Sequence, residues 1–173
     1  PIELANPISA ELSVMRPSLW PGLVQTVQYN LARQVPRVRV FESGLRFLHG
    51  EPELLQEPML AGAIIGDGLP EQWAETSCQV DFYDIKANVE ALLTPNGHLA
   101  HCRFEAAEHP VLHPGQSARI LRGDQELGWL GQLHPVLAKS LGLSGALYLF
   151  ELRLPVLASG DLPAFEALSK FPS

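Results

Sequence analysis

The chain has 173 residues, enough for one domain with a single hydrophobic core, and a domain of this size buries roughly 70% of its unfolded surface. Its residues are 46% hydrophobic and 18% charged, and no apolar run approaches the roughly 18 residues of a membrane-crossing helix, which excludes a helical membrane protein. The formal net charge of −7 argues against a surface that binds nucleic acid chiefly by neutralising phosphates.

After an extended lead, Ser18 is the expected N-cap of a first helix, with Pro21 tolerated in its first turn and Pro36 closing it after about Val35. Leu19, Leu23, Val24, Val27 and Leu31 recur at spacings of three and four and form one apolar stripe, each side chain contributing about 1.5 to 3 kcal/mol when fully buried. The run Arg37 to Glu42, RVRVFE, alternates charged and β-branched residues as a strand with one wet face does, and Gly44 then marks a bend or bulge before Leu45 to Leu48. Met59 to Ile65, MLAGAII, is too uniformly apolar to have a solvent face, so it belongs in the middle of a sheet; Gly66-Asp67-Gly68 ends it in a turn.

DFYDIKANVEALL opens on Asp81 as N-cap and puts Phe82, Ile85, Val89, Leu92 and Leu93 on one face of a second helix, closed by Pro95-Asn96-Gly97. LAHCRFEA alternates again, with Ala100, Cys102, Phe104 and Ala106 pointing one way. Ser117 to Arg122 and Gln125 to Gln132 are two alternating runs joined by Gly123-Asp124, a tight hairpin. His134-Pro135 starts a short helix with Gly142 past its end, and Ala146 to Leu154 is a last strand. Hairpins and returning strands with interspersed helices give an α+β domain, an antiparallel or mixed sheet covered by helices on one side. The chain reads as one domain over residues 1–173, a piece of something longer, with 159–173 leading toward a following domain.

Charge is distributed unevenly. Residues 1–50 carry a balance of +2 and the remainder −9, and Arg33, Arg37 and Arg39 are the cations of a possible partner-facing strip, the plainer alternative being a chance cluster. The His98/His101 and His109/His113 spacings suit zinc only on a helix; here one member of the first pair falls in a strand, and the second pair precedes prolines in a loop. Ordinary turn and strand histidines are the reading, and nothing in the spacing demands that His109 or His113 act with Glu105 or Glu108 as an acid or base. Cys78 and Cys102 are expected to be reduced thiols in a cytoplasmic protein, and Cys102 a small core residue rather than a nucleophile. No glycine-rich phosphate loop with a following Lys-Ser/Thr is present. The residues alone give no catalytic, cofactor-binding or metal site.

Six blocks, NPISAELSVMRPSLWPGLVQTVQYNLARQ, RVRVFESGLRF, LAGAIIG, VDFYDIKANVEALL, HPGQSARI and LGWLGQLHP, resemble in order and spacing the β chain of bacterial phenylalanyl-tRNA synthetases. KFPS resembles the junction before that family's C-terminal tRNA-contacting domain. The resemblance implies a class II synthetase-type fold, an antiparallel sheet flanked by helices, in the β chain of an α2β2 tetramer that charges tRNA with phenylalanine using ATP and magnesium. It further implies that the α chain carries the chemistry, that tRNA is met mainly by other domains of the β chain, and that this segment holds no cofactor. The segment resembles a degenerate copy of the catalytic core. Gly44 and Phe47 are followed by Leu48 where the catalytic version has a phosphate-clamping Arg, and no glycine occurs from Tyr148 to Leu154, so bulky side chains are expected to fill the nucleotide cleft. Arg153 falls opposite the Tyr148, Phe150 and Leu152 face and receives no catalytic role. The start of the segment, past the family's central interface strand, implies weakened association with α. Two rivals stay open: a small class II-like ligase in its own right, and an RNA-binding module using Arg33, Arg37 and Arg39.

Overall fold

The computed structural model describes residues 2–3, 13–50, 54–74, 76–95 and 98–158; residues 159–173, read above as a lead toward another domain, lie outside them. A two-stranded ladder, β1 (Ile2–Glu3) with β2 (Val14–Met15), precedes α1 (Trp20–Leu31). β3 (Val38–Leu48), β4 (Leu55–Ile65), β5 (Cys102–Ala106), β6 (Leu112–Arg122), β7 (Gln125–Leu133) and β8 (Tyr148–Arg153) form one sheet in the order β3-β4-β8-β7-β6-β5, antiparallel throughout. α2 (Phe82–Leu93), a 3-10 turn at His98–His101, α3 (Pro135–Ser140) and α4 (Leu154–Ala158) complete the order.

The expectation of helices on one side is corrected: they cover both faces. Alternation along β4 and β8 sends Met59, Ala61, Ala63, Ile65 and Leu149 into a cluster with Leu19, Leu23, Val24 and Val27 of α1. The residues between them, Ile64, Tyr148, Phe150 and Leu152, join Ile85, Val89 and Leu93 of α2 and Val156 and Leu157 of α4 on the other face. β4 lies between β3 and β8, as its uniform apolarity predicted, and that same uniformity requires a cover on each side. The stripe on α2 is Phe82, Ile85, Val89 and Leu93; Leu92 stays 37% exposed. Asp81 caps α2 as expected, its side chain accepting from the Tyr83 and Asp84 amides while Asp84 accepts from the Asp81 amide.

The structure departs from the sequence reading in several places: β4 starts at Leu55 rather than Met59, β8 runs from Tyr148 to Arg153 rather than from Ala146 to Leu154, and four further differences have a local reason. α1 stops at Leu31 rather than near Val35, because Gln34 adopts a left-handed φ of 62° and the amides of Arg33, Gln34 and Val35 fold back onto Asn30 and Leu31 carbonyls ahead of Pro36. Gly44 makes no bend: β3 runs straight through it, paired with Met59, and the missing side chain gives room to Arg16, whose guanidinium a Cβ would overlap as it crosses to Glu42 and the Leu45 carbonyl. The strand expected from Leu99 begins only at Cys102, since Cys102 pairs with Arg122 and the next residues of β6's hairpin are the Gly123-Asp124 turn, leaving residues 99–101 no ladder partner. β6 starts at Leu112, five residues before the expected Ser117, across an irregularity in its pairing with β7.

The three His-Pro pairs share one device. The Nδ1 atoms of His109, His113 and His134 each accept a hydrogen bond from the backbone amide two residues on, at 3.3 Å from Val111, 2.9 Å from Gly115 and 3.2 Å from Val136. The imidazole thereby does what an Asx or Ser/Thr side chain does at a turn or helix start, and at His134 it caps α3. All three imidazoles thus accept from a backbone amide at a turn or a helix start.

Candidate functional site

The α1 face of the sheet is not filled. A cavity of about 560 Å³ opens there, between the start of α1, the α3 segment and the strands β3, β4, β7 and β8. Its position follows from the sequence upward. Leu19, not the expected Ser18, holds the cap position ahead of α1, with the Ser18 hydroxyl accepting from the Trp20 amide at 3.1 Å, and alternation in β8 turns Glu151 and Arg153 to this face, while β3 contributes Arg46. Gln28 ties α1 to α3 by donating to the Leu141 carbonyl at 2.8 Å, which closes the apolar end against Leu137 and Leu141.

The polar floor is a closed ion network. Arg46 donates from Nε at 2.8 Å and Nη2 at 2.6 Å to Glu57 Oε2, and its Nη1 lies 3.4 Å from Glu151 Oε2. Glu151, 6% exposed, uses Oε1 to accept from the Ser18 hydroxyl at 2.9 Å and the Leu19 amide at 2.7 Å. A buried carboxylate thus satisfies an orphan donor at the α1 start, where the helix carries no acidic residue of its own in the first turn. Arg153 Nε sits 3.8 Å from Glu57 Oε1, and the Arg153 side chain makes no hydrogen bond among the described residues.

One wall of the cavity is aromatic. His109 meets Trp20 edge to face at 5.2 Å between ring centroids and Trp129 at a tilt at 5.0 Å. Trp20 Nε1 donates to the Phe150 carbonyl at 3.0 Å, and Trp129 Nε1 to Glu126 at 3.2 Å. Burial holds the His109 imidazole below its ordinary pKa, with the Glu126 carboxylate pulling weakly the other way. Burial likewise raises the Cys102 thiol, against a smaller opposite pull from Arg122, so this cysteine carries little thiolate.

The cleft expected to be plugged is arranged differently. Tyr148, Phe150 and Leu152 do turn opposite to Arg153, but they are buried beneath α2 on the far face, and the space lies on Arg153's own side. The arginine strip is divided: Arg37 and Arg39 each direct Nη2 to the Gly68 carbonyl at 3.3 Å, while Arg33 stacks 3.3 Å over the Tyr29 ring at the end of α1. Among the described residues no group of three or more His, Cys, Asp or Glu side chains is placed to hold a metal ion. Sequence reasoning passed over Arg46, Glu57 and Glu151. The signal was available in YLFELRL, where a glutamate inside an apolar strand needs a charged or hydrogen-bonding partner.

The comparisons with known proteins agree with this architecture. The family model described as "Phenylalanyl tRNA synthetase beta chain CLM domain" matches residues 1–154. The phenylalanine–tRNA ligase β subunit of Pseudomonas fluorescens is 56% identical over 172 residues and that of Pseudomonas syringae pv. tomato 55%, each alignment covering 99% of this chain and 22% of the relative. The chain therefore spans about a fifth of the length of these curated relatives. Among solved structures, a pyrrolysyl-tRNA synthetase from Desulfitobacterium hafniense superposes with a TM-score of 0.58 at 21% identity, over 82% of this chain and 48% of that one. At that identity the likeness concerns the fold, and it bears out the class II synthetase-type α+β architecture. With the family match extending over nearly the whole chain and the relatives more than half identical, this chain belongs to the phenylalanyl-tRNA synthetase β chain family, as its CLM domain.

Proposed function

We propose that this chain is the non-catalytic structural core of a phenylalanine–tRNA ligase β subunit, supporting a catalytic α chain within an α2β2 assembly in the cytoplasm. The observation that carries this reading is the floor of the cavity. Among the described residues that line it the guanidiniums are Arg46, held by Glu57 and Glu151, and Arg153, paired with Glu57, and this supports a face without a group of free cations to grip a triphosphate. Adenylate formation develops charge that a catalytic site stabilises by several kcal/mol through cationic groups or metal ions aimed at the phosphates. Paired guanidiniums flanked by carboxylates do not supply that field. ATP and magnesium then serve the holoenzyme at the α chain, and tRNA is met mainly through other domains of the full β chain.

The test is phenylalanine-dependent ATP–pyrophosphate exchange. The 173-residue chain alone is expected to give no exchange above background, and the full-length β chain with its α chain to give full activity. Exchange catalysed by the chain alone would overturn the reading in favour of a self-sufficient ligase. Steeply salt-dependent tRNA binding by the chain alone, abolished by neutralising Arg33, Arg37 and Arg39, would instead favour an RNA-binding module.

A further inference from the structure

We propose that the start of α1 is an oxyanion site whose ligand is the chain's own Glu151 carboxylate, an internal occupant that latches α1 to the sheet and shuts the site to external anions. Donors from three separate segments converge on that carboxylate. The Ser18 hydroxyl at 2.9 Å and the Leu19 amide at 2.7 Å meet Oε1, and Arg46 Nη1 lies 3.4 Å from Oε2. The side chain that fills them is 6% exposed and stands on β8, paired with Trp129 of β7 on one side and Ala61 of β4 on the other.

An ordinary ion pair exists only while both partners are present, whereas here each donor is held in place without Glu151. Leu19 is fully buried in the cluster beneath α1, so packing sets the direction of its amide. Ser18 Oγ accepts from the Trp20 amide at 3.1 Å, which orients the hydroxyl and leaves its one proton for Glu151. Arg46 is anchored to Glu57 through Nε at 2.8 Å and Nη2 at 2.6 Å, which aims Nη1 at Glu151. Removing the carboxylate therefore leaves a formed cradle. Two donors on one oxygen and a charged donor on the other match a planar group with two oxygens. The α1 start also retains its own demand for negative charge, since its first turn carries no acidic residue. One charge is the limit, because Glu57 already shares the Arg46 cation and repels a dianion. The site thus takes a small planar monoanion, and acetate reproduces the part of the Glu151 side chain beyond Cβ. This assignment refines the reading of the cavity floor given above, yet the two can fail separately: ATP–pyrophosphate exchange by the chain alone would overturn that reading and leave the internal ligand standing, and failed rescue would do the reverse.

The test is chemical rescue in the full-length ligase complex, read by hydrogen–deuterium exchange of the peptide that contains Leu19 and Trp20. Glu151→Ala is expected to speed exchange there by about tenfold, because buried donors lose their acceptor. Sodium acetate at about 500 mM, in place of sodium chloride at the same concentration and pH, is expected to slow it again by about elevenfold, as a site with a dissociation constant of about 50 mM would. Acetamide, which has the shape without the charge, is expected to rescue far less, and the parent complex to show no response to acetate. Arg46→Met in the Glu151→Ala background is expected to lose the rescue, and Glu151→Gln, whose amide fills the cradle, to speed exchange without responding to acetate. Where Glu151→Ala assembles poorly with the α chain, the yield of complex in acetate against chloride gives the same reading. Equal exchange and equal yield in acetate and chloride overturn the proposal, as does equal rescue by acetamide or a response of the parent complex.

Discussion

The two faces of one sheet are built from the same strands, often from adjacent residues, yet they solve different problems. Beneath α2 and α4 the second face is closed: Ile120, Leu130 and Leu152 are fully buried and Phe150 lies across β4, where the absent side chain of Gly62 makes room for its ring. Beneath α1 the first face is apolar at one end and charged at the other, with a cavity between. Close packing gains dispersion and burial everywhere at once, whereas a buried ion network is tolerable only when each member is satisfied. The second face therefore behaves as a core, and the first as a core with a specified opening. Neighbouring residues of β8 make the contrast sharp, since Phe150 serves one face and Glu151 the other.

The largest effect is expected from the network. Glu151→Ala leaves Arg46 with Glu57 alone, and leaves the Ser18 hydroxyl and the Leu19 amide without their acceptor, in a setting that excludes most water. Loss of one partner of a buried pair costs about 3 to 5 kcal/mol. Urea unfolding should show that loss, and Arg46→Met with Glu151→Leu together should cost less than the sum of the two single changes, because neither charge is then stranded. Additive effects would mean that the network is not coupled.

On the closed face, Leu130→Ala is expected to lose about 2 to 5 kcal/mol, because the site has no means of collapsing or of admitting water. Val24→Ala, at the wall of the open cavity, should cost only about 1 to 2 kcal/mol, since the removed methyl groups already border space. The measured difference between these two variants reports how closed each face is. Equal losses would remove the distinction on which the comparison rests.

The legibility of this fold followed the same division. Elements whose signals are local were readable from sequence: the Asp81 N-cap, the Gly123-Asp124 hairpin, the His134-Pro135 helix start and the placement of β4 inside the sheet. What failed needed a neighbour. Gly44 reads as a bend in isolation and becomes a passage for Arg16 only once the chain folds back. Leu99 to His101 continue an alternating pattern but run out of partner strand. The cavity floor joins Ser18, Arg46, Glu57 and Glu151, separated by up to 133 positions, and no spacing rule relates such distant residues. A single feature, the glutamate in YLFELRL, pointed to the network without naming its partners.

Helix capping gives a smaller expected effect. Asp81→Ala removes the acceptor for the Tyr83 and Asp84 amides at the surface-exposed start of α2 and should cost about 1 kcal/mol. It acts on the element that covers the closed face, so it should lower stability without altering the cavity. An unchanged urea midpoint would show that the cap does not hold the start of α2.

The last expectation concerns pH and belongs to the open face alone. His109 is the imidazole that burial holds below its ordinary value, so in the folded chain it remains neutral at a pH where the unfolded chain has already taken up a proton. Between the two values the unfolded state binds more protons, and stability accordingly rises with pH across that window. Read downward, the contribution is complete above the unfolded value of about 6.5, begins to fall as pH drops through it, and stops falling once pH lies below the folded value. The groups facing this ring bear on the size of the effect: Glu126 favours the charged form and works against the shift, while Trp20 and Trp129 exclude water and maintain it. His109→Gln should flatten the slope of unfolding free energy between pH 7 and pH 5 relative to the parent chain, and Glu126→Gln should steepen it by removing the opposing charge. A slope unchanged in His109→Gln would assign the pH dependence to other groups and place the imidazole in a wetter setting than the aromatic wall provides.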